Sequence, residues 1–259
     1  MTDLKTSVQQ QFDRVAANYR TSAVHALGED LAQMVALAHL RGDERVLDAG
    51  CGAGHTAAAF APHVAAVVAV DFTESMLRQV ELLAAERGLA NLTTRVGDVE
   101  ALPFGDGEFD LVVSRYSAHH WPHPAQALAE FRRVLKPDGR VILSDVVGFD
   151  DPTCDTYLNA IELLRDPSHV RDYTEPEWLA FFASAGFAAE IGFRFRIALE
   201  FENWTQRMAT SAVNRAAIRS LYASAPAEVK ATMGISEAGH EFACAVVRAA
   251  PTPSAFVGA

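Results

Sequence analysis

The sequence predicts an α/β fold: a doubly wound, mostly parallel seven-stranded sheet, with an N-terminal helical lid and cap helices inserted in the C-terminal half. Three observations carry this. From Arg45 onward, short apolar runs alternate with helical patterns. The first run, Val46-Leu47-Asp48-Ala49, passes straight into a glycine-rich turn, Gly50-Cys51-Gly52-Ala53-Gly54. Acidic residues, Asp48 and Asp71, end the first two runs, where a doubly wound sheet gathers its ligands.

The first forty residues are helical in pattern. Phe12, Val15, Ala16 and Tyr19 share one face, and a second helix runs through Leu27, Leu31, Met34, Val35 and Ala38 to Gly42. The polar junction from Asn18 to His25 between them is expected to form a lid. After the glycine turn come a helix through Ala57–Ala61, a strand over Val64–Val70, and a helix capped by Thr73 and stopped by Gly88. Strands follow at Leu92–Val96, Phe109–Val113 and Val141–Val147, with the helix Ala125–Lys136 and the turn Pro137-Asp138-Gly139 between the last two.

Beyond Asp150, Cys154 to Arg165 reads as an inserted helix, and Thr174-Glu175-Pro176-Glu177 as a capping-box start. The strand Glu190–Glu200, helices around Trp204–Met208 and Ala216–Tyr222, and the strand Glu241–Arg248 complete the chain. The helices bearing Trp178, Phe181, Trp204, Met208 and Tyr222 are expected to cap the pocket. One domain is predicted: a lid over 1–42, a ligand-binding core over 43–150, sheet completion with cap helices over 151–240, a last strand over 241–250 and a disordered tail over 251–259.

With 259 residues and 50% hydrophobic content the chain can bury a full core. Its net charge of −11 argues against a nucleic-acid partner, which needs clustered Lys and Arg. Three scattered cysteines form neither a disulfide framework nor a zinc site. No signal core and no run of ~18 apolar residues is present, so a cytoplasmic protein without a membrane partner, monomer or homodimer, is expected.

The glycine turn by itself would suit any nucleotide. Asp48 narrows the choice, because a carboxylate there repels a pyrophosphate and attracts an ammonium group. Asp71, about twenty residues past the glycines, sits where an acid takes a ribose diol. The ligand suggested is a nucleoside carrying a cationic amino-acid end. Two further strand ends align with these, Gly97-Asp98 followed by Val99-Glu100-Ala101-Leu102-Pro103-Phe104, and Ser114-Arg115 followed by Tyr116-Ser117-Ala118-His119-His120-Trp121.

With Arg133-Val134-Leu135-Lys136-Pro137-Asp138-Gly139 after them, these motifs resemble the class I S-adenosylmethionine-dependent methyltransferases, in the branch related to ubiquinone and menaquinone biosynthesis. The resemblance covers residues 8–148 best. A looser whole-chain similarity is to bacterial natural-product N-methyltransferases of the toxoflavin, azapteridine type. The resemblance implies S-adenosyl-L-methionine as cofactor and S-adenosyl-L-homocysteine as product. It implies that Asp48 and the backbone of Ala49, Gly50, Cys51 and Gly52 hold the methionine amino end. Asp71 would bind the ribose, with Phe72 and Met76 on the adenine. Gly97, Asp98, Val99 and Glu100 would surround the adenine edge, and Ser114 and Arg115 would offer backbone near the sulfonium. Tyr19 matches a lid position that reaches the cofactor carboxylate.

Methyl transfer is an in-line displacement, so alignment supplies most of the catalysis and a base matters only for an acceptor that must lose a proton. His119, His120 and His25 are the candidates to orient the acceptor or take up that proton. No metal is expected, because Pro122 and Pro124 break any helix that would align His119, His120 and His123. The expected acceptor is a small heteroaromatic or natural-product intermediate, methylated on nitrogen or oxygen; C-methylation of a quinol precursor is the alternative. Two other classes share part of the pattern. A nicotinamide-dependent oxidoreductase would want a third glycine three residues after the second, whereas Gly54 comes after two. A cofactor-binding protein without methyl transfer would keep the same strand-end residues.

Overall fold

Val46, Leu47, Val67, Val70, Leu111, Val112, Val113 and Ile142 have at most traces of exposed surface, as strands covered on both faces require. They lie in β1 (Arg45–Ala49), β2 (Ala66–Asp71), β4 (Phe109–Arg115) and β5 (Leu135–Val146). With β3 (Leu92–Val96), β6 (Phe187–Glu200) and β7 (Gly239–Pro251) these make a seven-stranded sheet of order β3-β2-β1-β4-β5-β7-β6. The β3 to β5 pairings are parallel, and β7 runs antiparallel to both β5 and β6. This computed structural model describes residues 4–20 and 28–252. His25 and the start of the second predicted helix lie outside the described residues, as do the Tyr19 side chain and the tail beyond Thr252.

Successive strand residues face opposite sides, so Val46 and Leu47 enter different cores. One core takes Met34 of α2 (Glu29–Leu37), Phe60 of α3 (His55–Phe60) and Val80 of α4 (Glu74–Arg87). The other takes Leu128 and Phe131 of α5 (Pro124–Val134). α6 (Pro152–Arg165), α8 (Phe201–Arg207), α9 (Ala212–Ser224) and α10 (Ala227–Thr232) extend the first core. α7 (Glu175–Ser184) packs Trp178 and Phe182 into the second. α1 (Leu4–Arg20) lies over the carboxyl ends of the strands, where Gln9 Nε2 donates to the Phe72 carbonyl at 3.0 Å. No described helix is long and apolar enough to cross a membrane.

Several local expectations change. Thr73 stands at the N-cap of α4 without a side-chain cap bond, and Asp71 Oδ1 accepts the Thr73 N–H instead at 2.8 Å. Pro137-Asp138-Gly139 is an irregularity inside β5, where pairing with β4 jumps from Phe109↔Leu135 to Leu111↔Arg140. The helix before it therefore ends at Val134. α10 has no counterpart in the sequence reading. Trp178 does not cap the pocket, because α7 docks on the second core, where Trp178 packs against Phe182 of the same helix and Trp121. Gly88 and the Thr174–Glu177 capping box form as expected.

Candidate active site

The strand order reverses between β1 and β4, so the loops leaving their carboxyl ends diverge and open a crevice. Gly50 and Gly52 have φ of +69° and +50°, conformations that L side chains adopt only with strain. A Cβ on Gly50 would also clash with Ser117 Oγ, whereas Gly52 adjoins open space. Both Gly50 and Cys51 donate their N–H to the Val70 carbonyl at 2.9 Å, pinning the turn to β2.

Asp71 ties the turn down from the next strand. Its Oδ2 accepts the Gly52 N–H at 3.0 Å and its Oδ1 the Thr73 N–H. Burial raises its pKa in spite of those bonds. Gly50, Gly52, Asp71, Phe72, Met76 and Asp98 line one solvent-open cleft of about 940 Å³, and Cys51, Gly97, Val99, Glu100, Arg115 and His120 line it too. The structure thus brings twelve of the residues named from sequence to a single space.

Asp48, Ala49, Ser114 and His119 stand behind the wall of that cleft. Asp48 is 1% exposed and its Oδ2 accepts the Ala57 N–H in the first turn of α3 at 2.8 Å. Its Oδ1 is buried with no hydrogen-bond partner among the described residues. Burial lifts this carboxyl to about 7, with the neighbouring Asp71 adding to the rise. Ser114 Oγ donates to the Ala49 carbonyl at 2.8 Å, fastening β4 to β1. The Arg115 guanidinium turns to Asp30 of α2, Nη2 donating to Oδ1 at 2.8 Å, so its side chain is an anchor for the helix.

Lys5, Phe12, Tyr116 and Ser117 also line the cleft and were not read from sequence. Lys5 Nζ bridges Asp98 at 2.5 Å and Glu100 at 2.6 Å. Glu100 is in turn held by the His123 N–H at 2.7 Å, so it buttresses the loop after β3. A helical lysine near an N-terminus carries no signal of such a contact. Tyr116 has a φ of +50°, a strained conformation for a residue with a side chain.

His119 and His120 differ sharply. His119 Nδ1 lies 2.7 Å from Asp145 Oδ1. Burial opposes its charge, but the Asp145 carboxylate overrides burial and lifts its pKa to about 9. His120 sits against it, ring centroids 4.2 Å apart, with Phe12 edge-on at 5.0 Å. Burial, reinforced by the His119 charge, lowers His120 to about 4. Its Nδ1 faces the Ser168 carbonyl at 3.1 Å, which can only accept, so Nδ1 carries the proton and Nε2 holds the lone pair.

A second space of about 510 Å³, open solvent included, adjoins the cleft and shares Phe12, Tyr116 and His120 with it. Trp204, Phe242, Leu199 and Ile197 make its apolar wall, and His119, Glu162, Arg165 and Arg207 its polar side. Of the predicted cap aromatics, only Trp204 reaches this space.

Residues 47–143 match the family model of a methyltransferase domain. The chain is 40% identical over 201 residues to an uncharacterized methyltransferase, YcgJ, of Bacillus subtilis, covering 78% of this chain and 79% of that protein. It is 43% identical over 179 residues to the uncharacterized protein YafE of Escherichia coli, covering 69% and 86%. A demethylmenaquinone methyltransferase of Lactiplantibacillus plantarum is 34% identical over 154 residues, covering 56% and 65%. The crystal structure of the Bacillus YcgJ superposes with a TM-score of 0.82 at 34% identity, over 86% of this chain and 98% of that one.

Proposed function

Because the chain belongs to the class I S-adenosylmethionine-dependent methyltransferases, we propose that it methylates a small heteroaromatic or natural-product intermediate on nitrogen or oxygen. The observation that carries this reading is the second cavity. It is walled by aromatic and aliphatic side chains and joined to the main cleft through Phe12, Tyr116 and His120. Flat, partly apolar acceptors suit such a space.

The residues of the main cleft suit S-adenosylmethionine. Just behind its wall, Asp48 keeps one buried oxygen without a partner among the described residues, and a cationic amino end beside the glycine turn would supply what that oxygen lacks. Asp71 has spare lone pairs for ribose hydroxyls beyond its two backbone bonds. Phe72 and Met76 offer apolar surface on which adenine would pack, and Asp98 and the Val99 N–H would hold its edge. The helix α1 acts as the lid through Lys5, Val8 and Phe12, which line the cleft, whereas α2 packs Met34 into the first core and is not part of it.

When bound, the cofactor supplies an electrophilic methyl group on a good leaving group. The chain's own contribution is alignment: Tyr116 and His120 border both spaces and set the approach of the acceptor. His119, held protonated by Asp145, gives no base at neutral pH and fixes the position of His120. His120 Nε2 is free to take up a proton, and Asp166 Oδ2, 3.9 Å away, faces the cation so formed. Its low pKa makes it a weak base, fit for a proton released after methyl transfer.

C-methylation of a quinol is the second reading, favoured by the demethylmenaquinone methyltransferase relative. Single-turnover transfer from labelled cofactor to panels of heteroaromatic, phenolic and quinol acceptors tests both. Label on a heteroaromatic nitrogen or phenolic oxygen, with His120→Ala slowing transfer by roughly 10–100-fold, is the expected result. Carbon methylation confined to quinols would replace the first reading with the second.

A further inference from the structure

We propose that Glu162, His169 and Asp172 form a binding site for a divalent first-row transition-metal ion, beneath the second cavity. Glu162 comes from the last turn of α6, and His169 and Asp172 from the loop joining α6 to α7. One ligand atom from each residue lies within 4.8 Å of the other two. All three side chains are buried, at 3% exposure or less for the Glu162 residue and for the His169 and Asp172 side chains.

What points to an ion is the state of their polar atoms. Glu162 Oε1, both carboxyl oxygens of Asp172 and His169 Nδ1 are buried without a hydrogen-bond partner among the described residues. Asn159 fixes the imidazole tautomer: its Oδ1 already accepts the Asp172 N–H at 3.0 Å and lies 3.3 Å from His169 Nε2. Nε2 therefore carries the proton, and Nδ1 presents a lone pair. Carboxyl oxygens and an imidazole lone pair are acceptors, and acceptors cannot satisfy one another. A divalent cation satisfies a donor atom from each residue at once.

The loop is built to hold its place. Val170 and Arg171 donate their N–H groups to the His119 carbonyl at 2.9 and 3.2 Å, and His169 N–H bonds to the Asp166 carbonyl at 3.0 Å. Ligand atoms within 4.8 Å of one another put an ion no more than about 2.8 Å from each; because Nε2 is the ring nitrogen lying 3.9 Å from Asp172 Oδ2, the imidazole must turn Nδ1 inward as the side chains close by under about 1 Å to the usual ~2.0–2.2 Å. One imidazole with two carboxylates and no thiolate selects zinc or manganese over calcium or magnesium, and leaves coordination positions open. Glu162 also lines the second cavity, which places the ion one residue from an acceptor bound there. The spacing of seven and three residues, split between a helix and a loop, is no recognisable sequence motif.

The test titrates chelator-stripped protein with Zn²⁺ and Mn²⁺, by calorimetry and by the electron paramagnetic resonance of bound Mn²⁺. One equivalent per chain with micromolar or tighter affinity is expected, with a raised thermal midpoint. Asp172→Asn and, separately, His169→Gln should weaken binding at least about 100-fold while S-adenosylhomocysteine affinity stays as in the parent. Failure of both metals to bind the parent protein at 1 mM, a limit about six orders above nanomolar sites, overturns the proposal whether or not the variants fold. Equal metal affinity in folded variants overturns it too. Loss of cofactor binding in the parent would instead count against the methyltransferase reading.

Discussion

His119 Nδ1 and Asp145 Oδ1 meet at 2.7 Å behind the junction of the two cavities. Asp145 is itself fixed, Oδ2 by the Ala118 N–H at 2.7 Å and Oδ1 by the Val146 N–H at 2.8 Å. A charged imidazole is therefore locked to β5, and the neutral His120 ring lies tilted against it. The pair separates two histidines adjacent in sequence into a structural cation and a free lone pair.

This separation sets a pH dependence. The His119 pKa is raised to about 9 from 6.5, so its stabilising contribution is complete below about pH 6.5 and is lost as pH rises through 9. At 1.36 kcal/mol per unit the contribution is on the order of 3 kcal/mol. Asp48, raised to about 7, acts at lower pH, its penalty growing between about pH 4 and 7. Denaturant midpoints between pH 7 and 9.5 should fall in the parent protein and stay nearly flat in His119→Gln. In NMR titration one ring should titrate near 9, and His120 should stay neutral down to about pH 5. A His119 ring titrating near 6.5 would contradict the ion pair.

Gly50 and Gly107 make a matched pair for the glycine turn. Both have positive φ, +69° and +67°, but only at Gly50 would a Cβ clash with a neighbour, Ser117 Oγ. Gly107→Ala should cost about 1–2 kcal/mol from backbone strain alone. Gly50→Ala should cost about 2–5 kcal/mol, strain and overpacking together, and should abolish S-adenosylhomocysteine binding. Chemical denaturation of the two variants checks the difference, and equal losses would mean that Ser117 simply moves aside.

Asp71 holds the Gly52 N–H as well as the position expected to take the ribose. Replacing it with Ala should weaken S-adenosylhomocysteine binding by about 1.5–3 kcal/mol, more than tenfold in Kd, as measured by calorimetry. Unchanged affinity would remove Asp71 from the cofactor site.

The α1 helix rests on the cleft through Lys5, Val8 and Phe12. Lys5 occupies Asp98, the carboxylate proposed for the adenine amino group. Amide hydrogen exchange over residues 8–27 should slow when S-adenosylhomocysteine is added, because a filled cleft gives α1 a surface to close upon. Equal protection with and without it would make α1 ordinary packing.

The architecture and the main cleft were legible along the chain because their signals are local. Glycines mark where φ must be positive, alternating periods mark strands and helices, and acids at strand ends mark where ligands gather. The cluster Gly50, Asp71, Asp98 and Arg115 at one cleft follows from those signals once the strands are parallel. Tertiary structure alone decided the rest. Asp48 turned to cap α3, Arg115 to grip Asp30, and Trp178 to a core away from the cleft. The second cavity and the cluster of Glu162, His169 and Asp172 join residues from separate elements with no common period. Protonation belongs to the same category: His119 and His120 have one composition and adjacent positions, and only burial and the through-space partner Asp145 drive their pKa values apart.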